Sequence, residues 1–289
     1  MRQLSFSAFA AFWIGVLAIC FAVSVRAGEP AAGEGGVLSI GGSVTEIVYA
    51  LGQGDRLIAR DTTSTYPPEA AELPDVGYMR ALSPEGVLSV NPALVLSEAG
   101  AGPPETIAVL KEADIDFVTV PGGFDAVAIG DKIRAVGDAL GVPERAEALA
   151  EEVRVALETA QANSRQDTPK RVMFLLSAQG GKLMSAGTGT AADAIIRMAG
   201  GVNATGDFPG YKPLTDEAAA AAAPDVILMM DRGGDHAASA DQLFAMPALA
   251  VTPAAEARAL IKMDGLKMLG FGPRTAQAVA ELHAALYGG

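Results

Sequence analysis

The stretch LSPEGVLSVNPALVL at residues 82–96 recurs in altered form as LTDEAAAAAAPDVIL at residues 214–228. At matching places the two stretches share a leucine, a hydroxyl residue, a glutamate, a proline and a final leucine. Each begins with a helix N-cap residue and an acid in the first turn, and in each the proline leads into an apolar strand. A helix–strand unit that occurs twice predicts two related α/β lobes.

Other short apolar runs extend this pattern along the chain. They stand at residues 37–40, 55–61, 93–98, 117–122, 171–178 and 225–231. Uninterrupted runs of this length, alternating with helical segments, are typical of parallel strands that are buried on both faces. After the first run comes Gly41-Gly42, with Ser43 as a candidate N-cap and Gly52 as the helix end. No phosphate-loop motif follows the turn, so a nucleotide site is rejected.

A helical stretch at residues 131–162, interrupted only at 141–143, separates the two halves. We therefore predict two α/β lobes joined by a helix and not by a flexible linker. The expected boundaries are residues 28–124 for the first lobe, 125–168 for the linking segment and 169–289 for the second lobe.

The segment at residues 1–27 has a separate character. Arg2 precedes an uncharged apolar run up to Val25, and small residues stand three and one positions before a cleavage point after Ala27. We expect a signal peptide and export to the periplasm. The run is long enough to span a bilayer, so an uncut membrane anchor is the alternative.

Charge and residue usage exclude several classes of function. The leader holds two arginines and no acid, so the net charge of −13 becomes −15 without it, which argues against nucleic acid as a partner. The two histidines and the single cysteine, Cys20, are too few for a transition-metal site. The G-x-S-x-G nucleophile motif does not occur, and we expect a binding protein and not an enzyme.

Tyr66 stands in the polar loop DTTSTYPPEA, residues 61–70, where packing does not require a phenol. A phenolate binds ferric iron in some haem proteins, whereas an inert loop tyrosine is the alternative. Aromatic rings and cations suited to such a ligand stand elsewhere in the chain, at Tyr78, Arg80, Tyr211 and Arg232. The residues alone lead as far as an exported two-lobed binding protein.

Three stretches resemble the haemin-binding periplasmic proteins of bacterial ABC importers, the HmuT type, within the wider class of cobalamin- and siderophore-binding proteins. They are residues 60–96, which contain TSTYP and GYMRALS, residues 210–234, GYKPLTDEAAAAAAPDVILMMDRGG, and residues 262–275, KMDGLKMLGFGPRT. The resemblance covers essentially residues 36–288. It implies an α/β fold of two Rossmann-like α/β lobes joined by a single long rigid helix, with a ligand cleft between the lobes. It also implies ferric haem b as the transported ligand.

The resemblance also implies roles for single residues. Tyr66 is expected to be the axial ligand of a five-coordinate, high-spin ferric iron. Arg232 follows the apolar run at residues 225–231 and should therefore lie at the carboxyl end of a strand, facing the cleft. We expect it to pair with the Tyr66 phenolate or a haem propionate across the cleft, and a solvated arginine next to Asp231 and Asp235 is the alternative. The other residues expected in the haem site are Tyr78, Arg80 and Tyr211. Some members use a second-lobe histidine as a further ligand, but residues 185–193 contain none here.

The resemblance assigns partners as well. We expect a monomer that receives haem from an outer-membrane receptor system and delivers it to a permease with its ATPase. Glu85 and Glu217, at matching helix starts, are expected to be exposed and to contact arginines of that permease. The alternative ligands are a ferric siderophore or cobalamin, and an exported enzyme on a similar scaffold is the alternative class of function.

Overall fold

A computed structural model of the protein describes residues 36–231 and 239–288. The strands of the first lobe are β1 (Val37–Ile40), β2 (Leu57–Arg60), β3 (Leu94–Glu98) and β4 (Asp116–Val120). Its helices are α1 (Gly42–Ala50), α2 (Pro84–Leu88), α3 (Pro104–Glu112) and α4 (Ala126–Ala139). The strands form one parallel sheet in the order β2-β1-β3-β4. This confirms the predicted parallel arrangement.

A 21-residue helix, α5 (Pro143–Asn163), follows and leads to the second lobe. The strands there are β5 (Arg171–Gln179), β6 (Lys182–Ala186), β7 (Val202–Asn203), β8 (Tyr211–Leu214), β9 (Val226–Asp231) and β10 (Leu260–Asp264). The helices are α6 (Ala191–Met198), α7 (Asp216–Ala221), α8 (Ala240–Phe244), α9 (Pro247–Ala250), α10 (Pro253–Glu256), α11 (Gly265–Leu269) and α12 (Thr275–Tyr287). The sheet order is β10-β9-β5-β6-β8, and β7 pairs with β5.

The second sheet is not entirely parallel, in contrast to the pattern expected from the sequence. β6 runs antiparallel to both β5 and β8. The cause is local: only Gly180 and Gly181 connect β5 to β6, and both have positive φ angles, 59° and 75°. A two-residue turn with this backbone matches the twist of a β-hairpin and reverses the chain at once.

The candidate N-cap at Ser43 is wrong. α1 begins two residues earlier than an N-cap at Ser43 would require, and Gly41 is the N-cap with φ 107° and ψ 122°. The Ser43 hydroxyl instead donates to the Glu98 carboxylate at the end of β3 and accepts a hydrogen bond from Lys132. Because that hydroxyl points to buried partners, it is not available for the helix end.

The helical stretch at residues 131–162 consists of two helices, α4 and α5, that pack against each other in opposite directions. A Cβ at Gly137 would lie 2.1 Å from the Ala146 Cβ, so the two backbones are in close contact. Arg134 forms an ion pair with Glu147 further along the same pair. Of the two, α5 is the single long helix that joins the lobes, since it packs against α4 on one side and α12 on the other.

A continuous cluster of buried apolar side chains links the two lobes. It includes Val44 and Ile47 of α1, Leu157 of α5, Phe174 of β5 and Leu282 of α12. Within the described ranges no helix is long and apolar enough to cross a membrane. The predicted signal peptide lies outside those ranges.

The repeat seen in the sequence is also present in the backbone. Ser83 and Thr215, at equivalent places of the two units, both cap their helices by accepting a hydrogen bond from the backbone N–H three positions further on. Asn91 and Ala223, which are also equivalent, both have a left-handed backbone, with φ angles of 48° and 39°. The two units therefore share a helix start, a helix end and a strand entry, which supports their origin as a duplicated unit.

Ala223 gives a test of this geometry. A residue with a side chain is disfavoured at positive φ, whereas glycine is not. We expect Ala223→Gly to leave the free energy of unfolding unchanged or to raise it by up to about 1 kcal/mol. The neighbouring Ala222 has a φ angle of −62°. Ala222→Gly should therefore lower the free energy of unfolding by about 0.5–1 kcal/mol. Urea unfolding of both variants measures the contrast, and equal losses would contradict the assigned backbone.

Candidate functional site

The residues that follow β1 and those that follow β10 are in contact. Residues 264–275, which begin with the last residue of β10 and which we call the crossing segment, contact the first lobe at the start of α1. A Cβ at Gly42 would lie 2.5 Å from the Leu266 Cδ1, so the segment touches the backbone of α1. Ligands of open α/β sheets bind beyond the carboxyl ends of the strands. The junction of the crossing segment with the first lobe is therefore the place to look for a site.

The loop after β2 is fixed there by a buried carboxylate. Asp61 is fully buried, and its Oδ1 accepts hydrogen bonds from the Gly41 backbone N–H at 2.9 Å and the Ser64 hydroxyl at 2.8 Å. Its Oδ2 accepts from the Thr63 backbone N–H at 3.0 Å and from the Thr63 hydroxyl at 2.7 Å. One of these four charge-assisted hydrogen bonds holds the loop to the turn before α1, and the other three fix the conformation of the loop itself.

Buried hydroxyl groups extend the same anchor. The Thr45 Oγ1 lies 2.6 Å from the Ser39 Oγ and 2.6 Å from the Ser64 Oγ. The Thr63 hydroxyl also accepts a hydrogen bond from the Gly42 backbone N–H at 2.9 Å. The sequence shows only that DTTS is polar, whereas in the structure Asp61, Thr63 and Ser64 of this stretch tie the loop to the first lobe around α1.

Tyr66 is at the end of this anchored loop, with 40% of its surface exposed and a cis peptide bond to Pro67. The guanidinium of Arg274 stacks on the ring, with its Cζ 3.5 Å from the ring centroid. The sequence reasoning did not single out Arg274, although it lies in one of the stretches that carry the resemblance. No local sequence pattern identifies Arg274, because the residues that it contacts are distant in the chain.

Arg274 is itself held by a buried acid. Its Nη2 lies 2.9 Å from the Glu46 Oε2, and its backbone N–H donates to the Glu46 Oε1 at 3.2 Å. The side chain of Glu46 is only 5% exposed and that of Arg274 18%. Among the described residues, the buried Arg274 Nε has no hydrogen-bond partner. The arginine is thus fixed between a carboxylate of α1 and the phenol ring.

Tyr78 and Arg80 lie on the adjacent loop. The Thr62 backbone N–H donates to the Gly77 carbonyl at 3.0 Å, which joins this loop to the one that carries Tyr66. Met79 between the two residues is buried, whereas Tyr78 is 47% exposed and Arg80 is exposed. The alternation presents a phenol and a cation at the surface of the first lobe.

Tyr211, at the start of β8, is near Arg80 of the opposite lobe. Partial burial raises the pKa of the Tyr211 phenol, and the positive charge of Arg80 opposes that shift. The phenol ring remains 40% exposed. The structure therefore brings together two predicted site residues that are far apart in the chain. Arg232, which was predicted to complete the site, lies outside the described residues.

Glu85 and Glu217 are exposed in the first turns of α2 and α7, as expected. Their settings differ in one respect. The pKa of Glu217 is lowered, first by a hydrogen bond from its own backbone N–H and then by one from the Thr215 hydroxyl. The second-lobe carboxylate therefore stays charged to a lower pH than an ordinary glutamate.

Asp61 provides a test of the anchor. Asp61→Asn keeps the shape but places an amide N–H₂ against donors, and we expect a loss of about 2–4 kcal/mol in the free energy of unfolding. The exposed Asp75, which pairs with Arg60, is the control, and Asp75→Asn should cost less than about 1 kcal/mol. Chemical unfolding measures both. An Asp61 variant as stable as the Asp75 variant would mean that the buried network does not hold the loop.

These features define a class: a two-lobed protein with an aromatic and cationic site where the lobes meet. A family model described as "Periplasmic binding protein" matches residues 37–265. The chain belongs to that family.

Solved and curated relatives are consistent with this assignment. The chain is 43% identical to the periplasmic heme-binding protein BhuT in complex with two hemes, with a TM-score of 0.83 over 88% of this chain and 98% of that one. It is 30% identical over 200 residues to the uncharacterized ABC transporter substrate-binding lipoprotein YvrC of Bacillus subtilis, and 27% identical over 172 residues to the vitamin B12-binding protein of Vibrio cholerae. Those matches cover 68% and 59% of this chain, and 63% and 61% of the two relatives. The chain thus spans less than two thirds of the length of the curated relatives it matches.

Proposed function

We propose that the protein captures ferric haem b in the periplasm and delivers it to an ABC importer. The observation that carries this proposal is the setting of Tyr66. A half-exposed phenol stands at the end of a loop that is fixed by the fully buried carboxylate of Asp61, at the junction of two lobes. A phenol oxygen that is held in a fixed position is suited to coordinate an iron ion that arrives bound in a porphyrin.

The chemistry of ferric iron favours this residue. Fe³⁺ is a hard cation, and a phenolate supplies an anionic oxygen, as in the tyrosine-ligated haem proteins. The metal charge stabilises the deprotonated ligand. The described residues contain no cluster of three or more histidine, cysteine, aspartate or glutamate side chains that could hold a free metal ion. Tyr66 alone is proposed as the axial ligand, and the porphyrin supplies the remaining ligands.

The surrounding groups fit the rest of the haem molecule. Tyr78 and Tyr211 offer exposed aromatic faces for an apolar macrocycle. Arg80 offers a guanidinium that suits a propionate, and Arg232 is proposed for the same role or for the Tyr66 phenolate. The relatives are binding proteins, which supports a carrier over an exported enzyme.

Delivery needs a docking surface, for which we propose Glu85 and Glu217. The two acids are exposed, and they stand on matching helices of the two lobes. Acids on the binding protein and arginines on the permease are complementary in charge. The same proposal includes an ATPase bound to the permease, an outer-membrane receptor system upstream, a monomeric carrier, and removal of residues 1–27 on export.

Titration of the purified protein with haemin tests the ligand. We expect saturable binding with the absorption spectrum of a high-spin ferric haem that has a phenolate ligand. Cyanocobalamin and a ferric hydroxamate siderophore serve as competitors in the same titration, because the family also contains a vitamin B12-binding relative. Displacement of haemin by cobalamin at equal concentration, or absence of a phenolate signature, would reject the haem assignment.

A further inference from the structure

The crossing segment, residues 264–275, belongs to the second lobe but is fastened to the first by one ion pair and by one hydrogen bond from a buried lysine. One is the pair of Arg274 with Glu46. The other contact is made by Lys132, only 1% exposed, whose Nζ lies 2.7 Å from the Glu98 Oε1 and 3.1 Å from the Gly270 carbonyl oxygen. A charge of low exposure that loses its partner is costly, so the Arg274–Glu46 pair holds the segment in place. The hydrogen bond from Lys132 to the Gly270 carbonyl adds a second point of attachment.

Arg274 connects this fastening to the candidate ligand. Its planar guanidinium lies 3.5 Å from the centre of the Tyr66 ring, while Glu46 holds its other edge. An arginine whose donors are fixed by a buried carboxylate has little rotational freedom, and a stacked aromatic ring then shares that restriction. Its positive charge lies over the ring that carries the candidate ligand oxygen.

We propose that Arg274 is a positioning residue for Tyr66, and that the setting of the tyrosine therefore depends on the docking of the crossing segment. Tyr66 and Glu46 belong to the first lobe, and Arg274 belongs to the second. Any motion that separates the crossing segment from α1 withdraws the arginine from the ring. The role in haem binding rests on the proposed function, but the positioning of the ring does not.

Four variants separate the possible roles. Arg274→Gln removes the stacked cation, and Arg274→Lys keeps the charge but not the plane. Glu46→Gln weakens the support of the arginine without touching the ring. The matched control is Lys267→Gln, because Lys267 lies in the same segment but pairs with Glu281 of the second lobe.

The first readout uses the haem-free protein, with its tyrosine rings labelled for NMR. We expect Arg274→Gln to shift the Tyr66 ring signals clearly more than those of Tyr78 and Tyr211, and Glu46→Gln to shift them in the same direction. Lys267→Gln should leave them unchanged. If the Tyr66 signals do not respond to either Arg274 variant, the positioning role is rejected, whether or not haem binds.

The second readout is the release of ferric haem to an excess of an apoprotein acceptor. We expect Arg274→Gln to release haem about tenfold faster and to shift the phenolate-to-iron absorption band, with Arg274→Lys in between. If the variant changes the melting temperature but neither the phenolate-to-iron absorption band nor the rate of haem release, Arg274 has only a structural role and the proposal is rejected. Loss of haem binding in every variant, the control included, would instead count against the proposed function.

If Arg274→Gln does not fold, Glu46→Gln decides between the outcomes, because it leaves both Arg274 and Tyr66 in the chain. Faster release together with a shifted Tyr66 signal in that variant supports the proposal. An unchanged signal and rate overturn it.

Discussion

Tyr66→Phe is expected to lower the affinity for ferric haem by at least about 100-fold, since even the outer partners of metal ligands matter by about 10–100-fold. The substitution keeps the ring that stacks on Arg274 and removes only the oxygen. The phenolate-to-iron absorption band should disappear from whatever haem remains bound. Haemin titration followed by absorption measures both effects.

Tyr78→Phe is the matched control for this prediction. Tyr78 is a similarly exposed tyrosine on the adjacent loop and is not proposed as an iron ligand. It should keep the spectrum and lose only a small part of the affinity. Neither variant should change the free energy of unfolding of the haem-free protein by more than about 0.5 kcal/mol, because both rings are exposed. An unchanged ferric spectrum in Tyr66→Phe would show that another atom binds the iron.

The double variant Glu85→Lys, Glu217→Lys is expected to bind haem normally and to abolish uptake. Like charges across an interface cost several kcal/mol, and the acids are proposed to face arginines. Haem uptake by cells that carry the cognate permease, and binding of the variant to that permease in detergent, are the measurements. Normal uptake would reduce both residues to acids that merely favour a helix start.

The chain offers a control with the same change in charge. Glu105 and Glu256 also stand exposed in first helical turns, one in each lobe, but outside the repeated unit. The variant Glu105→Lys, Glu256→Lys should leave uptake close to normal. If it abolishes uptake equally, net charge and not the position of the acids controls docking.

The docking prediction also includes an expected dependence of permease binding on pH. The folded-state pKa of Glu217 is lowered, so its carboxylate remains charged as the pH falls into the usual carboxyl range. The part it contributes to docking is present above its own lowered pKa and is lost only as the pH falls through that value. Permease binding at a pH near the ordinary glutamate pKa should therefore still be weakened by Glu217→Lys.

Much of the fold was predictable because its signals are local. The apolar runs gave the six strands assigned to them, and Pro143 marked the start of the connecting helix. The antiparallel pair β5–β6 was missed, although Gly180-Gly181 between two apolar runs was a readable hairpin signal. Ser43 was misassigned because the helix-start pattern does not show that its hydroxyl has buried partners.

The site was only partly predictable. Tyr66, Tyr78, Arg80 and Tyr211 were named from their residue types and the resemblance, and the structure gives the last two a shared environment. Asp61 and Arg274 were not, since an acid in a polar loop and an arginine near a helix start are common features. Their importance comes from what they contact.

The sequence by itself determined two repeated α/β lobes, the helix between them and the presence of an unexplained tyrosine, because each depends on spacings within a few turns of chain. Only the tertiary structure decided that Asp61 and Ser64 of the loop before Tyr66 are buried, and that Arg274, from the far end of the chain, stacks on the tyrosine ring. The physical reason is that stacking and buried ion pairs depend on distance in space. The periodic pattern of apolar residues in a sequence does not show which distant side chains will contact each other.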